Sequence, residues 1–302
     1  MSRKTVALLT AVVWTFVLAG ALAIFFIFAK GSNPFTDFNP VKGDMKQLQQ
    51  QTVNGDVTSI TIEWIAGGVH VKRSTNGKLQ LVEKSQYDLD IKEWAAVTES
   101  NGQLTIKSRI KSIWNIFSFF TPTSYLELYL PEKLYDKFVM ETTSGEYIIE
   151  DLQVKSMNLQ ATSGNLDILR TTTQKMFIEV TSGDLDIDQV VVDDMDINLT
   201  SGDVSFSGVV SESWKAEMTS GRMMVDLLEV APSEVDVEMT SGMIEMTFVK
   251  EADFEVHVDK TSGAFNANWP NANSSSPYRY QNGRDNYNVS MTSGMVTFNI
   301  QP

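Results

Sequence analysis

The chain contains no cysteine and only two histidines among its 302 residues. The absence of cysteine excludes disulfide bonds, cysteine-ligated structural zinc and thiol catalysis. The two histidines, His70 and His257, lie far apart in the sequence, and no Walker or Rossmann glycine pattern occurs. The formal net charge of −14 would repel nucleic acid. We therefore expect a protein that is not an enzyme, with no cofactor, no metal site and no nucleic-acid partner.

The triplet Thr-Ser-Gly recurs through the second half of the chain. It begins at eight positions, spaced by 19, 19, 19, 19, 21, 21 and 31 residues: Thr143, Thr162, Thr181, Thr200, Thr219, Thr240, Thr261 and Thr292. Apolar and polar residues alternate on both sides of the triplets, as in Leu166-Asp167-Ile168. Such alternation is typical of strands with one buried face. Each repeat is therefore predicted to contain two short strands joined at Ser-Gly.

A near-constant period predicts an all-β fold, a parallel β-solenoid with rungs of about 19 residues. Rungs that stack roughly 4.8 Å apart would make the eight units a rod about 35–40 Å long. Glycine adopts backbone angles that other residues resist, so the glycines of the triplets are expected to be structural corners: Gly145, Gly164, Gly183, Gly202, Gly221, Gly242, Gly263 and Gly294. The alternative is a β-sandwich whose strands share one turn motif.

Residues 5–29 carry no charge and are long enough to span a bilayer as a single helix. Arg3 and Lys4 precede this stretch, which favours an N-terminus inside the cell and a C-terminal domain outside it. The segment Ala21-Leu22-Ala23 could instead be a signal-peptidase site, although the apolar run continues beyond it. We favour an uncleaved anchor, and hence a single-pass protein of the cell membrane whose C-terminal domain is extracytoplasmic.

The predicted organisation has five parts. They are a short cytoplasmic tail (1–4), the transmembrane anchor (5–29), a polar tether (30–55), irregular N-terminal rungs that cap the stack (56–142), and the repeat solenoid (143–302) with an insertion at 266–291. The first rungs include an apolar stretch at 110–120. This stretch is either a hydrophobic plug over the open end of the coil or a patch that contacts the membrane or a partner.

Stacking predicts one outward column at the position two residues before each triplet. The column comprises Glu141, Gln160, Glu179, Asn198, Glu217, Glu238 and Asp259. Four of its acidic residues are candidates for a strip that binds cations or cationic peptides: Glu179, Glu217, Glu238 and Asp259. Glu217, Glu238 and Asp259 would be successive neighbours about 5 Å apart, where like charges repel by roughly 0.8 kcal/mol in water. The alternative is ordinary acidity that keeps the surface soluble. His257 and Asp259 share a strand face, but one histidine and one carboxylate indicate an exposed pair.

The insertion at 266–291 concentrates aromatic and amide side chains. Trp269, Tyr278, Tyr280 and Arg284 could stack on and hydrogen-bond a glycan or a partner. A hairpin that caps the distal end of the rod would use the same residues, and we favour that interpretation.

Three features together resemble a known bacterial family. These are Gly67-Gly68-Val69-His70-Val71, the stretch 126–152 (LELYLPEKLYDKFVMETTSGEYIIEDL), and the repeated Thr-Ser-Gly units. They look like the "putative adhesin" domain of unknown function, across roughly residues 56–302. The resemblance implies parallel β-strand repeats on an envelope protein behind a membrane anchor, and no active site.

Two functions are expected. The first is non-enzymatic adhesion or envelope organisation. The second is an envelope-stress sensor that binds cationic peptides or a partner membrane protein. An enzyme acting on polysaccharide on a β-helix is the third and least favoured alternative.

Overall fold

The computed structural model describes residues 45–110, 123–269 and 276–302. The predicted anchor at 5–29 lies outside these residues, as does most of the apolar stretch at 110–120, of which only Ile110 is described and buried. No helix in the described part of the chain is long and apolar enough to cross a membrane. Met45–Pro302 forms one compact unit.

The unit is built almost entirely of strands, with one 3-10 turn at Ile91–Glu93 among the described residues. The strands are β1 Lys46–Val53, β2 Ser59–Arg73, β3 Leu79–Ser85, β4 Ala96–Ser100, β5 Gln103–Lys107, β6 Ser124–Leu130, β7 Leu134–Glu150, β8 Gln153–Leu169, β9 Thr172–Met218, β10 Arg222–Leu227, β11 Glu234–Met239, β12 Met243–Phe248, β13 Phe254–Lys260, β14 Ala264–Ala267, β15 Tyr278–Tyr280, β16 Asp285–Met291 and β17 Met295–Ile300. The all-β repeat architecture predicted from the sequence is confirmed.

Successive repeats pair in parallel with a register of 19 residues. Strand β7 pairs with β8 from Leu134 opposite Gln153 onward, and β8 pairs with β9 from Gln153 opposite Thr172 onward. Alternate side chains face inward and form buried columns, of which Ile149, Ile168 and Ile187 make one. These columns form one continuous hydrophobic core along the stack. The period therefore arises because each repeat places equivalent side chains over those of its neighbour.

The glycines of the triplets form one column, in which each backbone carbonyl closely approaches the next glycine. A Cβ on Gly183 would lie 2.0 Å from the carbonyl oxygen of Gly164, and one on Gly202 would lie 1.9 Å from that of Gly183. Both glycines also have positive φ angles, at 142° and 137°. A side chain at these corners would therefore need a backbone shift as well as a conformation that L-residues rarely adopt.

The column begins earlier than the triplets do. Gly67 in β2 has a φ of 113°, and its carbonyl oxygen would lie 2.0 Å from a Cβ on Gly145. Strand β2 pairs with β7 in parallel from Ser59 opposite Lys137 to Val71 opposite Ile149. The expectation of only irregular rungs over 56–142 was therefore wrong for β2, which is a regular rung whose corner reads Ile-Ala-Gly instead of Thr-Ser-Gly.

The proximal end is closed by additional strands on β2. Strands β5 and β6 continue the parallel pairing, whereas β4, β3 and β1 add to them antiparallel. The expected tether at 30–55 was wrong for its last part, because Lys46–Val53 is the edge strand β1. The sequence did not indicate this strand because its glutamines replace the alternation of apolar and polar residues that marks the other strands. Gln49 is held there by a hydrogen bond from its Nε2 to Glu83 Oε2 at 2.6 Å.

The distal rungs are not stacked in chain order. Strand β16 pairs with β11 on one side and β13 on the other, and β17 likewise lies between β12 and β14. The last repeat of the sequence is therefore the penultimate rung, and the repeat containing Gly263 ends the stack. The segment predicted as an insertion at 266–291 consequently contains a genuine rung strand, β16.

Candidate functional site

The outward column two residues before the triplets borders an open groove at the glycine corners. A first cavity of about 500 Å³ is lined by Glu63, Lys107, Ser108, Glu141, Gln160 and Glu179, with three of the triplet threonines beside them. A second cavity of about 330 Å³ is lined by Glu179, Asn198, Glu217, Glu238, Ser290 and Thr292. Glu179 lines both cavities, so they adjoin. We call this feature the acidic groove.

The register fixes the order of side chains along the acidic groove. Gln160 lies between Glu141 and Glu179, and Glu217 lies directly beside Glu238. The expectation that Asp259 follows Glu238 was wrong, because the exchanged rung places Ser290 between them. Like-charge repulsion is therefore interrupted at that step by a neutral hydroxyl.

Few basic groups neutralise the acidic groove. Lys107 forms an ion pair with Glu63 at the proximal end. Lys215 Nζ lies 2.7 Å from Glu217 Oε1 on the same strand, and this hydrogen bond raises the pKa of Lys215. Gln160 Nε2 donates to Glu179 Oε2 at 3.2 Å, which orients that carboxylate without neutralising it. The groove consequently keeps its negative potential mainly at Glu141, Glu179 and Glu238, which pair with no lysine or arginine of the described residues.

Two polar atoms lining the acidic groove lack a hydrogen-bond partner among the described residues. Ser108 is only 6% exposed, and its Oγ is buried without a partner. Asn198 Oδ1 in the second cavity is also buried and unpartnered. Buried polar groups are normally satisfied, and sequence periodicity gave no signal for Ser108, which lies outside the repeats.

The predicted glycan loop is packed against the distal end of the core. Trp269 is 5% exposed, and its Nε1 donates to the carbonyl oxygen of Arg279 at 2.9 Å. Tyr278 packs on Phe265 with ring centroids 4.6 Å apart, and the Tyr280 hydroxyl donates to the carbonyl oxygen of Lys250 at 3.0 Å. These contacts favour the capping interpretation.

Arg284 remains at the surface beside the cap. Its Nη2 lies 3.0 Å from Asp285 Oδ2 in an exposed ion pair. Of the four residues proposed for a glycan or partner, only Arg284 is thus fully exposed. The structure does not bring these residues together as an open aromatic platform.

The two histidines each contact a single carboxylate. His257 Nε2 lies 3.1 Å from Glu255 Oε1, and His70 Nε2 lies 2.6 Å from Glu150 Oε1. No described group of three or more histidine and carboxylate side chains is arranged to hold a metal ion. No serine or threonine hydroxyl of the described residues is hydrogen-bonded to either imidazole.

Two solved structures are similar to this chain over most of its length. A "putative adhesin" of Bacteroides fragilis is 15% identical, with 84% of this chain and 98% of that one covered at a TM-score of 0.48. A "putative lipid binding protein" of Parabacteroides distasonis is 14% identical, with 84% and 96% covered at a TM-score of 0.48.

No curated protein matches the chain. The family model described as Toastrack DUF4097 matches residues 44–299, which spans every strand from β1 to β16 and most of β17. The resemblance stated from the sequence is therefore confirmed, and the chain belongs to the Toastrack DUF4097 family.

Proposed function

We propose that this protein is a non-enzymatic, membrane-anchored β-solenoid that binds cationic ligands on the outside of the cell, for adhesion or for organisation of the envelope. The parallel 19-residue register and the glycine column support the solenoid. The uncharged stretch at 5–29 supports the anchor, and Arg3 and Lys4 support the outward orientation.

The acidic groove is the observation that carries the proposal. Its carboxylates Glu141, Glu179 and Glu238 have no lysine or arginine partner among the described residues. A cleft lined by charge of one sign concentrates ligands of the opposite sign. The wider charge of −14 adds to this attraction at low salt.

A matched pair of triple variants tests the proposal. Glu179→Gln/Glu217→Gln/Glu238→Gln removes three charges from the acidic groove. Asp184→Asn/Asp186→Asn/Asp203→Asn removes three from the outward face of the strands that follow the triplets. With fluorescent decalysine as the probe and the full-length chain in nanodiscs, the first variant should bind about tenfold more weakly. Equal weakening by both variants would show that only net charge matters, and would refute the groove as the site.

Topology is tested on intact cells that carry a tag at Pro302. Loss of the tag on adding external protease is expected if the repeats are extracytoplasmic. Protection that persists after removal of the wall and of any outer membrane would contradict the proposed location.

The same groove also suits the second candidate, an envelope-stress sensor. A sensor must change its association with a partner membrane protein when a cationic peptide binds. Crosslinking with and without decalysine, followed by comparison of the captured membrane proteins, separates the two roles. An unchanged set of partners would favour the adhesive role.

A further inference from the structure

The carboxylates of the acidic groove occur on every second rung over its central part. Glu141, Glu179 and Glu217 alternate with the amides of Gln160 and Asn198. Neighbouring strands lie about 4.8 Å apart, so the three carboxylates repeat at about 9.6 Å along the stack. This spacing is longer than the repeat of about 6.8 Å between same-side residues of an extended β-strand.

A polyproline II helix has the matching repeat. It contains three residues per turn and rises about 3.1 Å per residue, so every third side chain returns to the same face after about 9.3 Å. Over the two steps from Glu141 to Glu217, the difference amounts to only about 0.6 Å. The flexible stem of a lysine or arginine absorbs such a difference.

The exposed carboxylates favour a cationic ligand that donates hydrogen bonds, and two buried polar atoms of residues that line the cavities have no partner among the described residues. Ser108 Oγ lies at the proximal cavity and Asn198 Oδ1 at the distal one. An ammonium group carries three donors and a guanidinium carries five. A bare metal ion fits less well, because no described group of three or more acidic or histidine side chains converges.

We infer that the acidic groove binds an extended polypeptide in the polyproline II conformation, with lysine or arginine at every third residue. The peptide lies along the stack, and three successive cations meet Glu141, Glu179 and Glu217, the last in competition with Lys215, whose Nζ lies 2.7 Å from Glu217 Oε1. This inference rests on the proposed function and specifies its ligand.

The ends of the groove limit the matched length to three cations. At the proximal end, Lys107 is paired with Glu63 and repels a further cation. At the distal end, Glu238 follows Glu217 on the adjacent rung, which breaks the alternation. Glu179 is the central contact, oriented by Gln160 and free of a lysine neighbour.

Two peptides of equal charge test the spacing. One repeats Lys-Pro-Pro four times and the other repeats Lys-Pro-Pro-Pro four times, so both are stiff and carry four lysines. We expect the full-length chain in nanodiscs to bind the first about fivefold more tightly in calorimetry at about 50 mM salt, since only it places three cations in phase. Glu179→Gln should abolish this preference. Asp184→Asn, on the outward face of the strand that follows the triplet, should preserve it.

The possible outcomes distinguish the polyproline II ligand from the more general proposal of cation binding. Equal affinity for the two peptides, with both weakened by Glu179→Gln, would refute the spacing match but still support cation binding. No binding of either peptide or of decalysine would overturn both. Spermine that competes as strongly as the first peptide would assign the groove to polyamines and refute the polypeptide ligand.

Discussion

The middle and the distal end of the stack obey different rules. From Gln153 to Met218, each rung follows the last in chain order with a constant register of 19 residues. Beyond Thr219 the spacing lengthens, and strands β16 and β17 insert between rungs that precede them in the sequence. The middle is held by repetition, with one described aromatic pair at Phe206 and Trp214, whereas the distal end is held by a cluster of ring contacts around Phe254 and Phe298.

The difference arises because the last rung of a repeat stack needs something other than a further repeat to cover its exposed end. An interior rung is covered on both sides by copies of itself, while the final rung has a copy on one side only. Here β15, Trp269 and Tyr280 cover that last surface, packing on Phe254 at centroid distances of 5.5 and 5.7 Å. The solubilising cap is therefore unrelated in sequence to the units that it closes.

Alanine at a glycine corner should destabilise the middle more than the end. The new Cβ at position 183 would lie 2.0 Å from a backbone oxygen, whereas at position 263 the closest backbone atom would be 2.5 Å away and only one rung is adjacent. Gly183→Ala is expected to cost about 4 kcal/mol or more, and Gly263→Ala about 2 kcal/mol. Thermal unfolding followed by circular dichroism would measure both.

Ser182→Ala controls for the substitution itself, because it changes the same corner without adding a Cβ. It should alter the melting temperature little. If Gly263→Ala proved as damaging as Gly183→Ala, the corners would be equivalent and the comparison of middle with end would fail.

Trp269→Ala should open the distal cap. This change removes a side chain that is 5% exposed, together with its hydrogen bond to the carbonyl oxygen of Arg279. Truncation of a buried tryptophan costs about 3–5 kcal/mol. We expect limited proteolysis to cleave first near β15, while fragments that contain β8 and β9 persist. Trp269→Phe keeps most of the packing and should protect the cap. Simultaneous loss of all fragments would show that middle and end unfold together.

The repeats could be predicted from the sequence because short-range patterns determine them. Alternation identifies a buried face, and a constant period identifies the neighbour, so the buried positions Ile168, Leu185 and Val204 could be read directly. The exchanged rung could not be read, because the triplet at Thr292 looks like any other and only long-range packing decides its position. Gly67 was missed as a corner because its rung lacks the triplet.

The acidic groove was likewise predictable from the sequence only in part. Its column followed from the period, but its concave shape, its unpartnered Ser108 and the Ser290 interruption depend on how distant segments meet. The position of Ser108 after β5 brings it to the groove only because β5 pairs with β2. No periodic signal connects these residues.

High pH should destabilise the regular part of the stack through Tyr147. Burial raises the pKa of Tyr147 to about 12, above the value of about 10 expected in the unfolded chain. The folded state therefore disfavours ionisation, so this contribution is complete below about pH 10 and is lost as the pH rises toward 12. Two pKa units correspond to about 2–3 kcal/mol. Tyr147→Phe should reduce the loss of stability between about pH 9 and pH 11 in urea unfolding, and an unchanged loss would contradict the assignment.

The smallest expected effect compares two buried tyrosines at neutral pH. The hydroxyl of Tyr287, at the distal end, donates to the carbonyl oxygen of Pro232 at 2.7 Å, whereas the buried hydroxyl of Tyr147, nearer the start of the stack, has no comparable bond. Tyr287→Phe should cost about 1 kcal/mol because it leaves a buried carbonyl unsatisfied, and Tyr147→Phe should cost nearly nothing. Urea unfolding of both variants at about pH 7 gives the comparison. If the two variants lost equal free energy of unfolding, the hydrogen bond from Tyr287 to Pro232 would contribute no net stability, and packing alone would hold that tyrosine at the distal end.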